Sequence, residues 1–221
     1  MKKIFTGLVT AMTLSTAVQA ADVSGTVSFT NDYRFHGLSQ TMGDPAVQGS
    51  LDVGFDNGVY AGIWGSNVDF DDDANLEIDY YVGYGNDIND ALSYDVMAAY
   101  YTYSGYSGES YDYLELITSL YYGDFAFSYA FADDYANSGD ESHYLGVDYS
   151  YGINDAVSLD LHAGHSFGDA YSNDYEDYSI GLSGDAAGLD LSVAYLTNDI
   201  KGAKTDDYDD DTVVFTVSRT F

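Results

Sequence analysis

The chain has 221 residues, with 6 Lys and Arg against 37 Asp and Glu for a formal net charge of −31, 24 Tyr, 11 Phe, one Pro and no Cys. The missing Cys excludes disulfide scaffolds, haem attachment through CxxCH and thiolate metal centres, and the charge argues against nucleic acid, whose phosphates require clustered Lys and Arg. The aromatic content is too high for a disordered acidic chain, and no apolar run is long enough for a membrane helix.

Residues 1–20 read as a cleaved secretory signal peptide. Lys2 and Lys3 precede an apolar stretch from Ile4 to Val18, and Val18-Gln19-Ala20 forms a small-x-Ala cleavage signal. Residues 21–221 then form one domain of net charge −33, because the removed segment carries two bases and no acid.

From Ala21 onward two-residue alternation replaces any helical period. The first segment sets Val23, Gly25, Val27, Phe29, Tyr33 and Phe35 against Ser24, Thr26, Ser28, Thr30, Asp32 and Arg34. The pattern recurs at 46–56, at 59–70 with Tyr60, Trp64, Val68 and Phe70 as the apolar set, and at 76–85, 92–103, 112–122 and 125–132. Segments 143–152, 157–167, 177–183, 189–197 and 212–221 complete about twelve strands. Short Asn/Asp/Gly turns, such as Asn57-Gly58 and Gly123-Asp124, alternate with longer acidic links at 36–45, 71–75, 104–111, 133–142, 168–176 and 198–211.

An even set of ten-residue strands, with short turns at one rim and long loops at the other, predicts an all-β, membrane-spanning, antiparallel up-and-down barrel with both termini periplasmic. Closure follows from physics, since lipid leaves no partner for an unpaired backbone group. Tyr33, Phe35, Tyr60, Trp64, Tyr84, Tyr94, Phe131, Tyr149, Tyr151, Phe167 and Tyr195 are expected in the interfacial aromatic belts. The last strand ends at Phe221, which resembles the signal read by the barrel-assembly machinery; Arg219 departs from that pattern and is expected to snorkel to the periplasmic interface.

Ser28 to Thr41, Asp44-Pro45-Ala46-Val47-Gln48-Gly49 and Gly58 to Val68 resemble the TorF-type porin family of bacterial outer-membrane barrels, as do Leu76 to Tyr84, Tyr100 to Tyr103 and Leu114-Glu115-Leu116. In the family pattern the residue before the first loop glycine is usually Arg. Here it is His36, so a titratable group stands in place of a permanent charge. The resemblance implies an outer-membrane barrel and names no permeant.

With the apolar faces toward lipid, Asp32, Arg34, Asp52, Glu77, Asp79, Glu115, Asp148, Asp160 and His162 are expected to line the lumen, with Asp56, Asp95, Asp177 and Asp190 inside or at its rims. Glu77 and Asp79 lie about 7 Å apart on one face, where an effective dielectric near 20 leaves roughly 2 kcal/mol of repulsion. Such a wall favours cations and repels anions. The alternative is a small, clogged lumen in which polar residues satisfy one another, with Arg34 clamping Asp32 or a neighbour. Asp71, Asp72 and Asp73, with Asp209, Asp210 and Asp211, offer oxygens for divalent cations, but no stretch has calcium-loop spacing and a solvated acidic surface is favoured.

The expectation is therefore a porin in a Gram-negative outer membrane that passes small, preferentially cationic solutes among lipid and lipopolysaccharide, with no cofactor and no nucleic-acid partner. The rival is a non-conducting barrel whose acidic loops bind divalent cations, lipopolysaccharide or partners. A barrel hydrolase comes last, since His162 beside Asp160 is an isolated pair without HExxH or GxSxG.

Overall fold

A computed structural model describes residues 21–105, 110–200, 208, 209 and 211–221. The expected signal peptide lies outside the described residues, as does Asp210.

The alternating segments extend into strands β1 (Asp22–Thr30), β2 (Arg34–Phe35), β3 (Leu38–Ser39), β4 (Ala46–Gly54), β5 (Val59–Asn67), β6 (Leu76–Asn89) and β7 (Leu92–Ser104). They continue as β8 (Tyr113–Tyr122), β9 (Phe125–Ala132), β10 (Ser142–Gly152), β11 (Val157–Phe167), β12 (Tyr175–Ala186), β13 (Leu189–Asn198) and β14 (Thr212–Thr220). Twelve of these close an antiparallel barrel in which neighbours in sequence are neighbours in space; β2 and β3 form a separate hairpin. A single 3-10 turn, Tyr135–Asn137, is the helical element among the described residues.

Closure pairs Thr26 to Thr30 of β1 with Thr220 to Thr216 of β14. One further rung is made by Phe221, whose N–H donates to the Gly25 carbonyl at 2.9 Å. The short turns lie at the rim that holds the start of β1 and the end of β14, the long links at the other. Turn chemistry suits the short rim: Ala187 and Gly188 both take positive φ, 55° and 78°, as a tight hairpin turn matched to strand twist requires.

The barrel is apolar on its outside. Val23, Val47, Leu51, Leu114, Ile180, Val213 and Phe215 are all exposed, while Glu77, Asp52 and Glu115 are buried within the ring. That inversion is what strands passing through lipid demand.

Two expectations about facing are corrected. The first strand ends at Thr30 rather than at 35, because the Asn31 side chain takes over the ladder. Its amide donates to the Val213 carbonyl, its carbonyl accepts from the Phe215 N–H, the Asn31 backbone N–H donates to the Phe215 carbonyl at 3.2 Å, and the main chain turns inward beyond it. Tyr33 and Phe35 consequently lie inside the barrel. Strand β5 is also reversed: Ile63 pairs with Leu51 and Tyr80 on the outside, which puts Tyr60 and Trp64 on the lumen side. Size misled there: Tyr60 sits opposite Gly54 and Gly83, where its ring has room to lie across the neighbouring strand, and Trp64 opposite Ser50 and Asp79. Tyr84, Tyr94, Phe131, Tyr149, Tyr151, Phe167 and Tyr195 share ladder rungs with outward residues.

Candidate functional site

The link between β1 and β4 does not stand above the barrel; it folds into the lumen. Hairpin β2–β3 turns at His36 and Gly37, with φ of 47° and 78°. Gly37 presses against the wall so closely that an added Cβ would lie 2.5 Å from the Asp177 Cβ. The hairpin touches the wall around much of its circumference. Tyr33 packs on Trp64 of β5 with centroids 5.3 Å apart, Phe35 meets Tyr101 of β7 at 6.0 Å, and His36 stacks on Tyr144 of β10 at 3.6 Å and 10°.

Polar contacts hold the same path. The Tyr175 hydroxyl donates to the His36 carbonyl at 3.1 Å, and the Asn198 amide to the Gly37 carbonyl at 3.4 Å. The Ser39 N–H donates to the Tyr208 carbonyl at 2.8 Å and the Asp69 N–H to the Gln40 carbonyl at 2.9 Å, tying the hairpin to two outer links. Ser39 and Thr41 are fully buried. Desolvation lowers the His36 imidazole from 6.5 to about 3, with Asp177 opposing the shift and His162 adding to it. The ring is neutral where it stacks.

Around this hairpin the wall is acidic and tyrosine-rich. Asp32 accepts from Arg34 Nε at 2.5 Å and from the Ser39 hydroxyl at 2.7 Å, so the anticipated clamp is made within the hairpin link. Asp52 accepts from Ser50 at 2.7 Å and from Tyr81. Glu77 accepts from Tyr103 at 3.0 Å, Glu115 from Tyr101 at 2.9 Å, Asp95 from Tyr60 at 2.8 Å and Asp160 from Ser150 at 2.6 Å. Asp79 differs: its Oδ1 is buried and has no hydrogen-bond partner among the described residues. Hydroxyl donors stabilise a carboxylate while leaving its charge in place, which a Lys or Arg would cancel. Among the described residues Arg34 is the one Lys or Arg in the lumen, since Arg219 shares an outward rung with Val27 and lies over the Phe221 ring at 5.2 Å.

His162 sits between two acids, with Nδ1 2.7 Å from Asp148 and Nε2 3.1 Å from Asp177, while Tyr144 bridges it at 2.8 Å. It pairs with Asp148 and Asp177 rather than with its sequence neighbour Asp160. Neighbouring strands supply the closest partners here. No Ser or Thr hydroxyl is hydrogen-bonded to His162 among the described residues, so the arrangement lacks a nucleophile–base pair.

The acidic loops serve their own turns. Asp72 accepts from the Ala74 N–H at 2.7 Å and from Tyr111 at 2.9 Å, and Asp71 adopts a φ of 60°. Asp211 accepts from Tyr195 and Thr197 at 3.0 and 2.7 Å, while Asp209 is buried. Among the described residues no three His, Asp or Glu side chains converge as a metal site. The lumen tyrosines were not singled out from sequence. The doublets Tyr80-Tyr81 and Tyr100-Tyr101 carried the signal, because adjacent residues of a strand face opposite ways.

Residues 15–221 match the family described as bacterial proteins of unknown function, Gcw_chp. The chain belongs to the Gcw_chp family. No curated protein matches the sequence. This Gcw_chp chain is similar in fold to the NanC porin at 12% identity and TM-score 0.56, covering 90% of this chain and 98% of the porin. A chain from a study of in-meso crystallization of membrane proteins is similar at 10% identity and TM-score 0.56, covering 90% of this chain and 83% of that one. OpdQ of Pseudomonas aeruginosa is more distant, at 16% identity and TM-score 0.44 over 87% of this chain and 59% of its own, and nothing further rests on it. The Gcw_chp chain thus has the fold of an outer-membrane porin-like barrel, and the TorF-type likeness stands beside that family as a resemblance.

Proposed function

We propose that the protein is an outer-membrane channel of a Gram-negative bacterium through which small solutes diffuse passively, with a preference for cations. The observation that carries this reading is the charge of the lumen: among the described residues, Asp52, Glu77, Asp79, Asp95, Glu115 and Asp160 face inward on hydroxyl partners or none, against one arginine already paired with Asp32. Such a path concentrates cations and repels anions. The likeness in fold to the NanC porin and the resemblance to TorF-type porins support the same class. Residues 1–20 would direct export, Phe221 would be read by the barrel-assembly machinery, and Arg219 would meet headgroups at the periplasmic rim. The acidic outer loops would face lipopolysaccharide, with divalent cations between them. No catalytic role is assigned to His162.

A second reading is favoured by one observation, the packing of the hairpin across the outer lumen: a barrel that does not conduct and acts through its loops. Liposome swelling separates the two. Proteoliposomes in isosmotic solutes of graded size should swell with small sugars and amino acids at rates that fall with solute size. Swelling no faster than in empty liposomes would overturn the channel in favour of the closed barrel.

A further inference from the structure

Beside the hairpin, three buried acids face one another without a counter-ion. Glu77 and Asp79 project from the same face of β6, and the charged groups facing Asp79 are Glu77 and Glu115. Glu77 and Glu115 are 2% exposed and Asp79 5%. Among the described residues none of the three makes an ion pair.

Two of their oxygens, Glu77 Oε2 and Asp79 Oδ1, are buried and make no hydrogen bond among the described residues, although the Tyr33 hydroxyl lies beside Glu77. A buried acceptor left unpaired costs the full desolvation of that group, more so when it is ionised, so native structures leave few of them. The walls between the acids are electron-rich rings. Asp79 shares its rungs with Trp64 and Tyr101, and Glu77 with Tyr103. Tyr33 covers the Trp64 ring and Phe35 the Tyr101 ring from the hairpin side, while Tyr113 stacks on Tyr101 at 4.6 Å.

We infer that Glu77, Asp79 and Glu115 form a binding subsite for an organic cation that carries N–H donors, a protonated primary amine being the simplest. Each part of the site selects for that chemistry. The orphan oxygens require hydrogen-bond donors, which a quaternary ammonium lacks. The aromatic walls attract a cation that also presents hydrocarbon. The subsite rests on and deepens the reading of the lumen as a cation path, placing a selective station beside the hairpin link, whose Tyr33 and Phe35 supply one side.

The test uses the folded barrel in detergent micelles, with n-butylammonium and tetramethylammonium chlorides as probes at equal ionic strength and calorimetry as the readout. The wild type should bind butylammonium at least tenfold more tightly than tetramethylammonium. Asp79→Asn should lose at least tenfold in butylammonium affinity, whereas Asp155→Asn, at an outlying turn, should bind as the wild type does. Heat-modifiable electrophoretic mobility checks that each variant is a barrel, and Glu77→Gln carries the same expectation should Asp79→Asn not assemble. No binding to the wild type, equal affinity for the two probes, or undiminished binding in a folded Asp79→Asn or Glu77→Gln barrel overturns the subsite. Binding without conductance would sink the channel and spare the subsite; conductance without binding would do the reverse.

Discussion

His36 occupies the position where the resembled family usually carries Arg, and its environment turns that change into a pH response. The docked imidazole titrates near 3 because burial removes its charged form from water, whereas an undocked, solvated one titrates near 6.5. As pH falls through that window, the undocked loop binds a proton that the docked loop refuses. Docking therefore weakens by up to about 1.4 kcal/mol per pH unit below 6.5. Single-channel recordings at pH 7.5, 5.5 and 4.5 should show growing occupancy of a larger conductance level, and His36→Gln should remove that dependence; a pH-independent wild type would separate His36 from hairpin docking. Gly37 tests the same contact without titration. Gly37→Val meets Asp177 and must hold a β-branched residue at a φ of 78°, a strain of about 1–3 kcal/mol, and should shift the population to the larger level at pH 7.5.

At the scale of elements, the strands and the hairpin have separable jobs. The twelve wall strands pair with one another and with none of the hairpin's residues, so the ladder is complete without it. Replacing residues 33–40 by Gly-Gly should leave a heat-modifiable barrel with higher conductance, and failure to assemble would make the hairpin part of the fold. The outward face of β12 offers a second check. Ile180, 52% exposed near the middle of its strand, should cost about 2–4 kcal/mol as Arg in vesicle refolding, while Ser179→Asn on the lumen side should stay near neutral. Equal costs would contradict the assigned facing. Strands were legible because period-two alternation and Asn/Asp/Gly turns are local properties of the chain. The inward hairpin was not. Its cause is the Asn31 amide bonding to β14 some 180 residues away, and nothing local distinguishes that Asn from a surface loop residue. Strand β5 misled for a related reason: Trp64 reads as a lipid-facing residue until Tyr33 is known to lie inside against it.

For the whole molecule, the net charge of −31 resolves into two populations with different surroundings. Of the loop acids, Asp72 caps its own turn and Asp211 accepts from Tyr195 and Thr197 of β13, while lumen acids such as Asp52, Asp95, Glu77 and Glu115 rest on tyrosine and serine hydroxyls. Which acids turn away from the apolar face follows from alternation, because polar faces must turn inward when the other face meets lipid. Their partners were not readable, since tyrosine serves both the lipid rim and the lumen and only the register decides which. If the acids set the preference of the path, screening should weaken it, and selectivity measured at 1 M salt should fall below that at 0.1 M. The most direct test of the account is the reversal potential of the reconstituted barrel in a tenfold KCl gradient at pH 7.5. The charged lumen predicts discrete single-channel steps with a reversal potential of the sign that marks K⁺ as more permeant than Cl⁻, reduced in Asp52→Asn/Glu115→Gln; absence of steps, or a reversal potential favouring Cl⁻, would contradict it.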